Sequence, residues 1–574
     1  MRIHHKRPVR LCLLFHLLPL CFAERIAVIG GGISGTFLTK YLIDYDEDCS
    51  LEELTIFDPL PLGQMLTKES PNDPNWQGNR VGTYQLDDGR IVELGASIMT
   101  DSFSFILEMV HAGNLTVGRP FSTGVPDKKL GTGMVISNGN GDNVLNTANM
   151  TSFETKLALM LRYNVDLWKV SRAITNSIDR FHGLQEHLRE DERFFYNSPK
   201  EMWEAVNLQE VVNMSLARFC DRMGVPNHVP WWRYYLYGQG SLREELLSSV
   251  NLVNYNQDAS QINALSGLAS LSASMVPLYS IAGGNVQIVR SAFQQAQKKR
   301  QENCPSQVIS HEAKRISTVI GSLDGFELYA NDGSVVGEYD IVILATPVSM
   351  ARVEFLIKSH IDESVLQPMP LGGLVENKED TKISQDHEGH PPLPTKLPKS
   401  VTRPYTQVVT TLVKNAKLQI DYFQIDQEHV PRGIYMTPKG KAAEYNVTAI
   451  AQIASKDGLY KVFSSQPLGH DTLRLFFGPS VEIEFEKHWG GPYGGATPDY
   501  QGQGETTGFL LFDGAMGFHG HTTSGALYYT SALEHTFANI ELSAMGARAV
   551  AKLIAKRLGW VTPTKEDHMM GEEL

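Results

Sequence analysis

The first regular pattern after the N-terminal leader is Arg25-Ile-Ala-Val-Ile29, a continuous apolar and β-branched run of the kind a buried parallel strand needs. It runs directly into Gly30-Gly-Gly-Ile-Ser-Gly35. Thr36 to Leu42 then has the mix of a helix, and Leu54 to Phe57 reads as a second strand. That strand ends in Asp58, 23 residues past the last glycine of the motif. Strand, glycine turn, helix, strand and acid in this order make one complete βαβ unit.

Further along, Ser152 to Arg193 carries Leu157, Leu159, Leu161, Val165, Leu167 and Val170 among polar residues, which predicts a long helix with these positions as core contacts. More helix is predicted from Leu242 to Val253, and from Val286 to Lys299 after a Gly283-Gly284 turn. Val308–Ile309, Phe326–Ala330 and Ile341–Leu344 read as strands. Ser359 to Pro404 shifts to Pro, Gly, Asp, Glu and Lys with little periodicity, so a mobile surface insertion over 359–404 is expected. A second strand-rich stretch begins at Tyr405. It includes Gln407–Val413, Leu459–Phe463 and Leu473–Phe477. Glu541 to Leu558 predicts a closing helix.

Length and composition bound what these elements can build. With 574 residues, the chain is long enough for two or more packed domains. Its hydrophobic content of 42% places it among globular proteins. The net charge of −13 argues against a nucleic-acid partner. Residues 1–23 combine a basic stretch (Arg2, Lys6, Arg7, Arg10), an apolar run from Leu11 to Phe22, and Ala23 at a plausible cleavage point. That is the pattern of a signal peptide, with an apolar run too short to span a bilayer. No later stretch reads as an integral membrane span. The expected compartment is the secretory pathway, ending in the lysosome or outside the cell. Cys49, Cys220 and Cys304 remain after cleavage, which allows one bridge and one free thiol between any pair. Asn114, Asn149, Asn213 and Asn446 head glycosylation sequons usable in a secretory lumen.

The chemistry starts at the glycines. Gly30 allows the tight turn, Gly32 lets the backbone approach a pyrophosphate, and Gly35 permits close helix packing. The N–H groups of the following helix would hold the phosphates, and Asp58 would accept hydrogen bonds from the adenosine ribose. The secretory route favours FAD over a nicotinamide cofactor, because a tightly held flavin travels with the protein. Gly78-Asn-Arg80-Val-Gly-Thr83 with Ile91-Val-Glu-Leu-Gly-Ala-Ser97 resembles the second cofactor-contacting segment of the amine-oxidase-like flavoproteins, in which an arginine reaches a flavin phosphate. Gly525-Ala-Leu-Tyr-Tyr529, Ser531-Ala532, Glu534 and Glu541-Leu-Ser-Ala-Met-Gly546 resemble their final flavin segment, where a strand delivers a turn and a helix N-terminus. His519 and His521 lack a Cys or carboxylate cluster at ligand spacing, so no metal is expected.

Nearly end to end, the chain resembles the prenylcysteine oxidase (prenylcysteine lyase) family. The specific stretches are Val253-Asn-Tyr-Asn-Gln257 and Tyr405 with Val408-Val-Thr-Thr-Leu-Val-Lys414; Ile281-Ala-Gly-Gly-Asn285, Tyr339 to Pro347 and Lys461-Val-Phe-Ser464 add to them. The resemblance implies an α/β fold: a Rossmann-type FAD-binding domain from discontinuous segments (24–100, 260–347, 505–560) and an α+β substrate domain (101–259, 348–504). It implies non-covalent FAD contacted through Gly30, Gly32, Ser34, Gly35, Asp58, Arg80, Ser97, Val308, Glu534 and Ser543. The implied substrates are S-prenylcysteine and dioxygen, the products cysteine, a prenyl aldehyde and hydrogen peroxide. Hydride loss from the allylic C1, water addition and collapse of a hemithioacetal ask the protein for orientation and an apolar tunnel rather than an essential acid or base. No catalytic side chain is therefore assigned. Lys414 is the one lysine set against the water-linked lysine of related oxidases, and a sheet-edge role is the simpler reading of it. Asn256 departs from an expected glycine and Gly78-Asn79 from a Gly-Gly pair. A flavin amine oxidase and a non-catalytic flavin-containing lipid binder are the alternatives.

Overall fold

In this computed structural model the described residues run from 24 to 561, apart from 71–79, most of 121–130, 140–142, 149, 190–192, 274–275, 323–324, 359–364, 370, 372–404, 427, 429, 441–443, 490–496, 499–506, 515–524 and 537. Residues 1–23, read above as a signal peptide, and Asn149, Gly78, Asn79, His519 and His521 therefore lie outside the described residues.

Glu24–Ile29 is a strand whose last four residues are buried, as its unbroken apolar run requires. It pairs in parallel with Leu51–Phe57 on one side and Ile341–Leu344 on the other. Val308–Glu312 and Ala526–Tyr529 extend the sheet in parallel, and Leu510–Asp513 closes it antiparallel, giving six strands. The helices Ile33–Tyr45, Val286–Asn303 and Ile540–Arg557 pack together. Cys49 and Cys304 are disulfide-bonded, which ties the loop before the second strand to the end of the 286–303 helix, and Cys220 is free and buried. A second sheet of five strands spans Ile316–Ser322 to Leu366–Pro368. The pairing of Leu366–Pro368 with Glu354–Lys358 puts three residues of the 359–404 stretch into that sheet.

The third sheet has seven strands, in the order Glu482–Trp489, Val408–Lys414, Leu459–Ser464, Val447–Ala454, Gly433–Met436, Met134–Ser137, Asn143–Asn146. Leu473–Phe477, read above as strand, is the end of a helix, His470–Phe477. A five-residue apolar run does not distinguish the two periods; the burial of Leu473, Phe476 and Phe477, spaced three and four apart, does. The 242–253 prediction resolves into a π-helical turn, Leu242–Leu247, followed by Ser248–Tyr255. Asn256 ends that helix at φ 53°. The position needs left-handed backbone, so the expected glycine and the observed asparagine answer the same demand. Asn256 also donates to the Gln407 carbonyl at 2.7 Å.

The Ser152–Arg189 helix corrects a second expectation. Asn164 breaks it at φ 49°, ψ −135°, and on both sides of the break most of the six aliphatic side chains predicted as core contacts stay out of the core. Leu157, Leu161 and Val165 are exposed, Leu159 and Leu167 half-buried, and only Val170 of the six reaches the core. Periodicity identified an apolar stripe. It could not tell whether anything covers the stripe.

Candidate cofactor and substrate cavity

The glycine turn is fixed by sterics. Gly30 sits at φ +112°, and a Cβ at Gly35 would lie 1.9 Å from the Gly30 carbonyl oxygen, so both positions demand glycine. A Cβ at Gly32 would meet only open space. The backbone there is thus bared at the N-terminus of the Ile33–Tyr45 helix, where no side chain caps the amide groups. Asp58 is anchored beside it: one carboxylate oxygen accepts from the Gly31 amide at 2.8 Å and the other from Leu60 at 3.0 Å. Each oxygen keeps a lone pair for a further donor. Burial pushes the Asp58 carboxyl up, against those two amide hydrogen bonds.

Arg80 and Glu534 form a two-pronged ion pair with both distances 2.7 Å, Glu534 fully buried and Arg80 partly open to the cavity. Pairing uses two of the five guanidinium N–H groups, which leaves donors for an anion. Glu534 stands on the 3₁₀ turn Thr530–His535, directly after the Ala526–Tyr529 strand and before the Ile540–Arg557 helix. A second helix N-terminus, with Asn539, Ile540 and Ser543, therefore reaches the same space.

That space is one cavity of about 500 Å³, which brings together Gly30, Gly32, Ser34, Asp58, Arg80, Ser97, Glu534 and Ser543. Gly35 lies behind the turn, as its packing role requires. Val308 does not line the cavity: it begins the outermost strand, pairs with Glu53 and is exposed. Lys414 is also elsewhere, half-exposed and ion-paired to Glu484 at 2.8 Å.

The lysine missed by the sequence reading is Lys461. It is fully buried and donates to the Glu93 carbonyl at 2.7 Å and to Ser97 Oγ at 3.1 Å, with its Nζ 4.9 Å from the centre of the Phe463 ring. Desolvation lowers it to about 7, against the attraction of Glu93. Desolvation likewise raises the Glu93 carboxyl, which accepts from Thr83 Oγ1 and from the Asn285 amide at 2.7 Å. A lysine on the same strand face as Leu459 and Phe463, within an otherwise apolar strand, was the available signal.

From Lys461 the sheet register lays out a row. Lys461 pairs with Ala451, Ala451 with Gly433, and Gly433 with Met134, so the four lie side by side on one sheet face. Three strand spacings of roughly 4.8 Å give a floor roughly 14 Å long. Ala451, Gly433 and Met134 line the cavity, as does Phe463 two residues from Lys461, whereas Lys461 itself is buried and does not line it; Ile174, Ile178, Phe181, Tyr255 and Leu268 line it from the helices. Trp489 also lines it, with a buried indole N–H that has no hydrogen-bond partner among the described residues. The arrangement is a polar, glycine-edged cradle opening into a long apolar slot.

The family model for prenylcysteine lyase matches residues 147–370 and 390–567. The chain belongs to the prenylcysteine lyase family. Farnesylcysteine lyase of Arabidopsis thaliana is 23% identical over 539 residues, 93% of this chain and 88% of that relative. Prenylcysteine oxidase 1 of Homo sapiens is 22% identical over 565 residues, with coverages of 93% and 89%. Among solved structures, a redesigned putrescine oxidase double mutant aligns with a TM-score of 0.49 at 11% identity, covering 94% of this chain and 99% of its own. Cyclohexylamine oxidase from Brevibacterium oxydans gives 0.47 at 13% identity, covering 94% and 100%. Among the described residues no helix is long and apolar enough to cross a membrane, and no group of three or more potential metal ligands occurs.

Proposed function

We propose that this family member is an FAD-dependent thioether oxidase that cleaves S-prenyl-L-cysteine, with water and dioxygen, to cysteine, a prenyl aldehyde and hydrogen peroxide. The observation that carries the reading is the continuity of the glycine-edged cradle with an apolar slot in one cavity, in a chain whose curated relatives are named for prenylcysteine and farnesylcysteine.

The residues fit the cofactor. The open face of Gly32 and the uncapped helix end would hold the pyrophosphate, Asp58 the ribose, and the unpaired donors of Arg80 a phosphate, all without a covalent bond. Bound there, FAD would supply a hydride acceptor that dioxygen regenerates. The protein's own part is positional. The row from Lys461 to Met134 would hold the prenyl chain extended and exclude water from it, so that the carbon next to sulfur is presented at the Lys461 and Phe463 end. Lys461, lowered to about 7, can hold or release a proton at Nζ near neutral pH. We place the protein on the secretory route; the Cys49–Cys304 bridge supports this, as does the exposure of Asn114, Asn213 and Asn446. The assignment of 24–100, 260–347 and 505–560 to the cofactor-binding domain is part of the same proposal.

The test is to mix purified, yellow protein anaerobically with farnesylcysteine and follow the oxidised flavin absorbance, then admit air and assay farnesal and hydrogen peroxide. Bleaching followed by both products is expected. A flavin that stays oxidised overturns the thioether assignment, and a colourless protein overturns the cofactor.

A further inference from the structure

The proposed reaction sets the cavity two opposed tasks. Its apolar slot keeps water from the prenyl chain, yet the oxidised carbon consumes one water molecule. A lone water beside an apolar slot needs about two to four polar partners to stay, and its attack needs an acceptor for the proton it loses. Both are found at one corner of the cavity, around Gly95.

A Cβ at Gly95 would stand 2.0 Å from the Arg80 carbonyl oxygen and 3.3 Å from Cζ2 of Trp489, so the indole closes on a position with no room for a side chain. Cζ2 is two bonds from Nε1. Trp489 is buried and lines the cavity, and its N–H has no hydrogen-bond partner among the described residues. A buried donor left unmet is costly, and this one faces a space that a ligand enters. On the other side of Gly95, Ser97 Oγ donates to the Gly95 carbonyl at 2.8 Å and accepts from Lys461 Nζ at 3.1 Å. Ser97 lines the cavity and Lys461 does not, so this hydroxyl is where the buried lysine reaches it. A hydroxyl has two acceptor lone pairs, which leaves one for a donor on the cavity side.

The lysine is suited to take a proton. Desolvation lowers it to about 7, against the attraction of the Glu93 carboxyl, so much of it is neutral near neutral pH. Lys487, also buried, lies opposite Thr410 two strands away. Phe463 lines the cavity with its ring centre 4.9 Å from Lys461 Nζ, which puts the reacting end of the slot at this corner.

We propose that Trp489, Ser97 and Lys461 form the hydration site of the reaction. The indole N–H donates to the water oxygen, the water donates one hydrogen to Ser97 Oγ, and its remaining lone pair faces the carbon next to sulfur. Once that carbon has lost its hydride, the water oxygen bonds to it. The water's proton passes to Ser97 Oγ as the serine's own proton passes to Lys461 Nζ. The hemithioacetal then collapses: its hydroxyl proton moves to sulfur as the C–S bond breaks with the electron pair on sulfur, which leaves aldehyde and thiol. The proton held by Lys461 and the hydride lost at the start are the two hydrogens that dioxygen carries away as hydrogen peroxide. The proposal rests on the thioether reading of the cavity.

The experiment measures two rates on purified yellow protein: anaerobic bleaching by farnesylcysteine, which reports hydride loss, and aerobic release of farnesal. Trp489→Phe should slow farnesal release about tenfold and Ser97→Ala roughly 10²-fold, with bleaching slowed by no more than about threefold in either. Ser97→Thr, which keeps the hydroxyl, should recover most of the loss. Without substrate, the oxidised flavin spectrum and midpoint potential of Trp489→Phe should match those of the wild type. Equal losses of bleaching and release, or no loss of either, overturn the proposal. A shifted spectrum or potential in Trp489→Phe assigns the indole N–H to the flavin and overturns it too. A wild type that farnesylcysteine does not bleach overturns the thioether reading and the hydration site together, whereas a wild type matched in both rates by its variants overturns the hydration site alone.

Discussion

The row Lys461, Ala451, Gly433, Met134 makes a quantitative demand on substrate length. Each strand step is about 4.8 Å, and an extended isoprene unit, with four main-chain carbons, spans on the order of 5 Å. The floor therefore holds about three units beyond the reacting end. Ala451→Leu places a branched side chain at the first step, whereas Gly433→Leu does so at the second, where a new Cβ already meets the Tyr435 ring at 3.2 Å. Every isoprene unit denied its place forfeits burial of five carbons at about 0.8 kcal/mol each, an upper bound near ~4 kcal/mol that a detour of the chain reduces. The assay is kcat/KM for S-dimethylallyl-, geranyl- and farnesylcysteine. Gly433→Leu should depress farnesylcysteine by roughly 10²-fold, a conversion of about 2.7 kcal/mol, and leave the two shorter substrates within a few-fold. Ala451→Leu should depress geranyl- and farnesylcysteine alike and spare dimethylallylcysteine. A uniform fall across all three lengths in both variants would refute the register argument, because it would mean that the chain does not lie along this row.

Three further outcomes are expected. Lys461→Met should remove an inflection near pH 7 from the kcat/KM profile of the wild type, since Nζ is lowered to about 7; an unchanged profile would show that titration of Nζ does not govern turnover. Arg80→Met takes the guanidinium charge away from the buried Glu534, which should cost up to about 3–5 kcal/mol of stability and loosen the flavin; adding Glu534→Gln should restore much of the melting temperature but not flavin retention in gel filtration. Glu541 is fully buried and its carboxyl is raised to about 7 by desolvation, despite the Phe105 and Ile106 amides that donate to it. Between its unfolded value near 4.5 and 7 the folded state holds more protons than the unfolded one, so stability falls as pH rises through that window. Melting curves of Glu541→Gln and wild type should therefore diverge from pH 5 to pH 8 in favour of the variant, by up to about 3 kcal/mol.

The parts of this site that local sequence encodes were legible. Gly30, Gly32 and Asp58 belong to one βαβ unit, where turn sterics and strand patterning act within some thirty residues. The Arg80–Glu534 pair spans 454 positions, and no local pattern announces which buried acid an arginine will meet. Lys461 was passed over because a strand lysine is ordinarily a surface residue; only the assembled sheet shows that its face is the inner one. Leu473–Phe477 failed for lack of length. The 152–189 stripe failed because amphipathicity states that a face is apolar, not that a partner exists.

The order in which the six-stranded sheet is threaded bears on how the protein is made. Glu24–Ile29 acquires one neighbour, Leu51–Phe57, almost at once, but its other neighbour, Ile341–Leu344, is more than 300 residues behind, and Ala526–Tyr529, the next strand of the sheet, follows later still. Throughout translation the nascent chain thus carries an apolar strand with an unpaired edge, the template for association with other chains. Biogenesis should depend on holding chaperones of the host compartment until release from the ribosome. A premature stop anywhere before the Ile540–Arg557 helix would leave an insoluble fragment rather than a weakened enzyme.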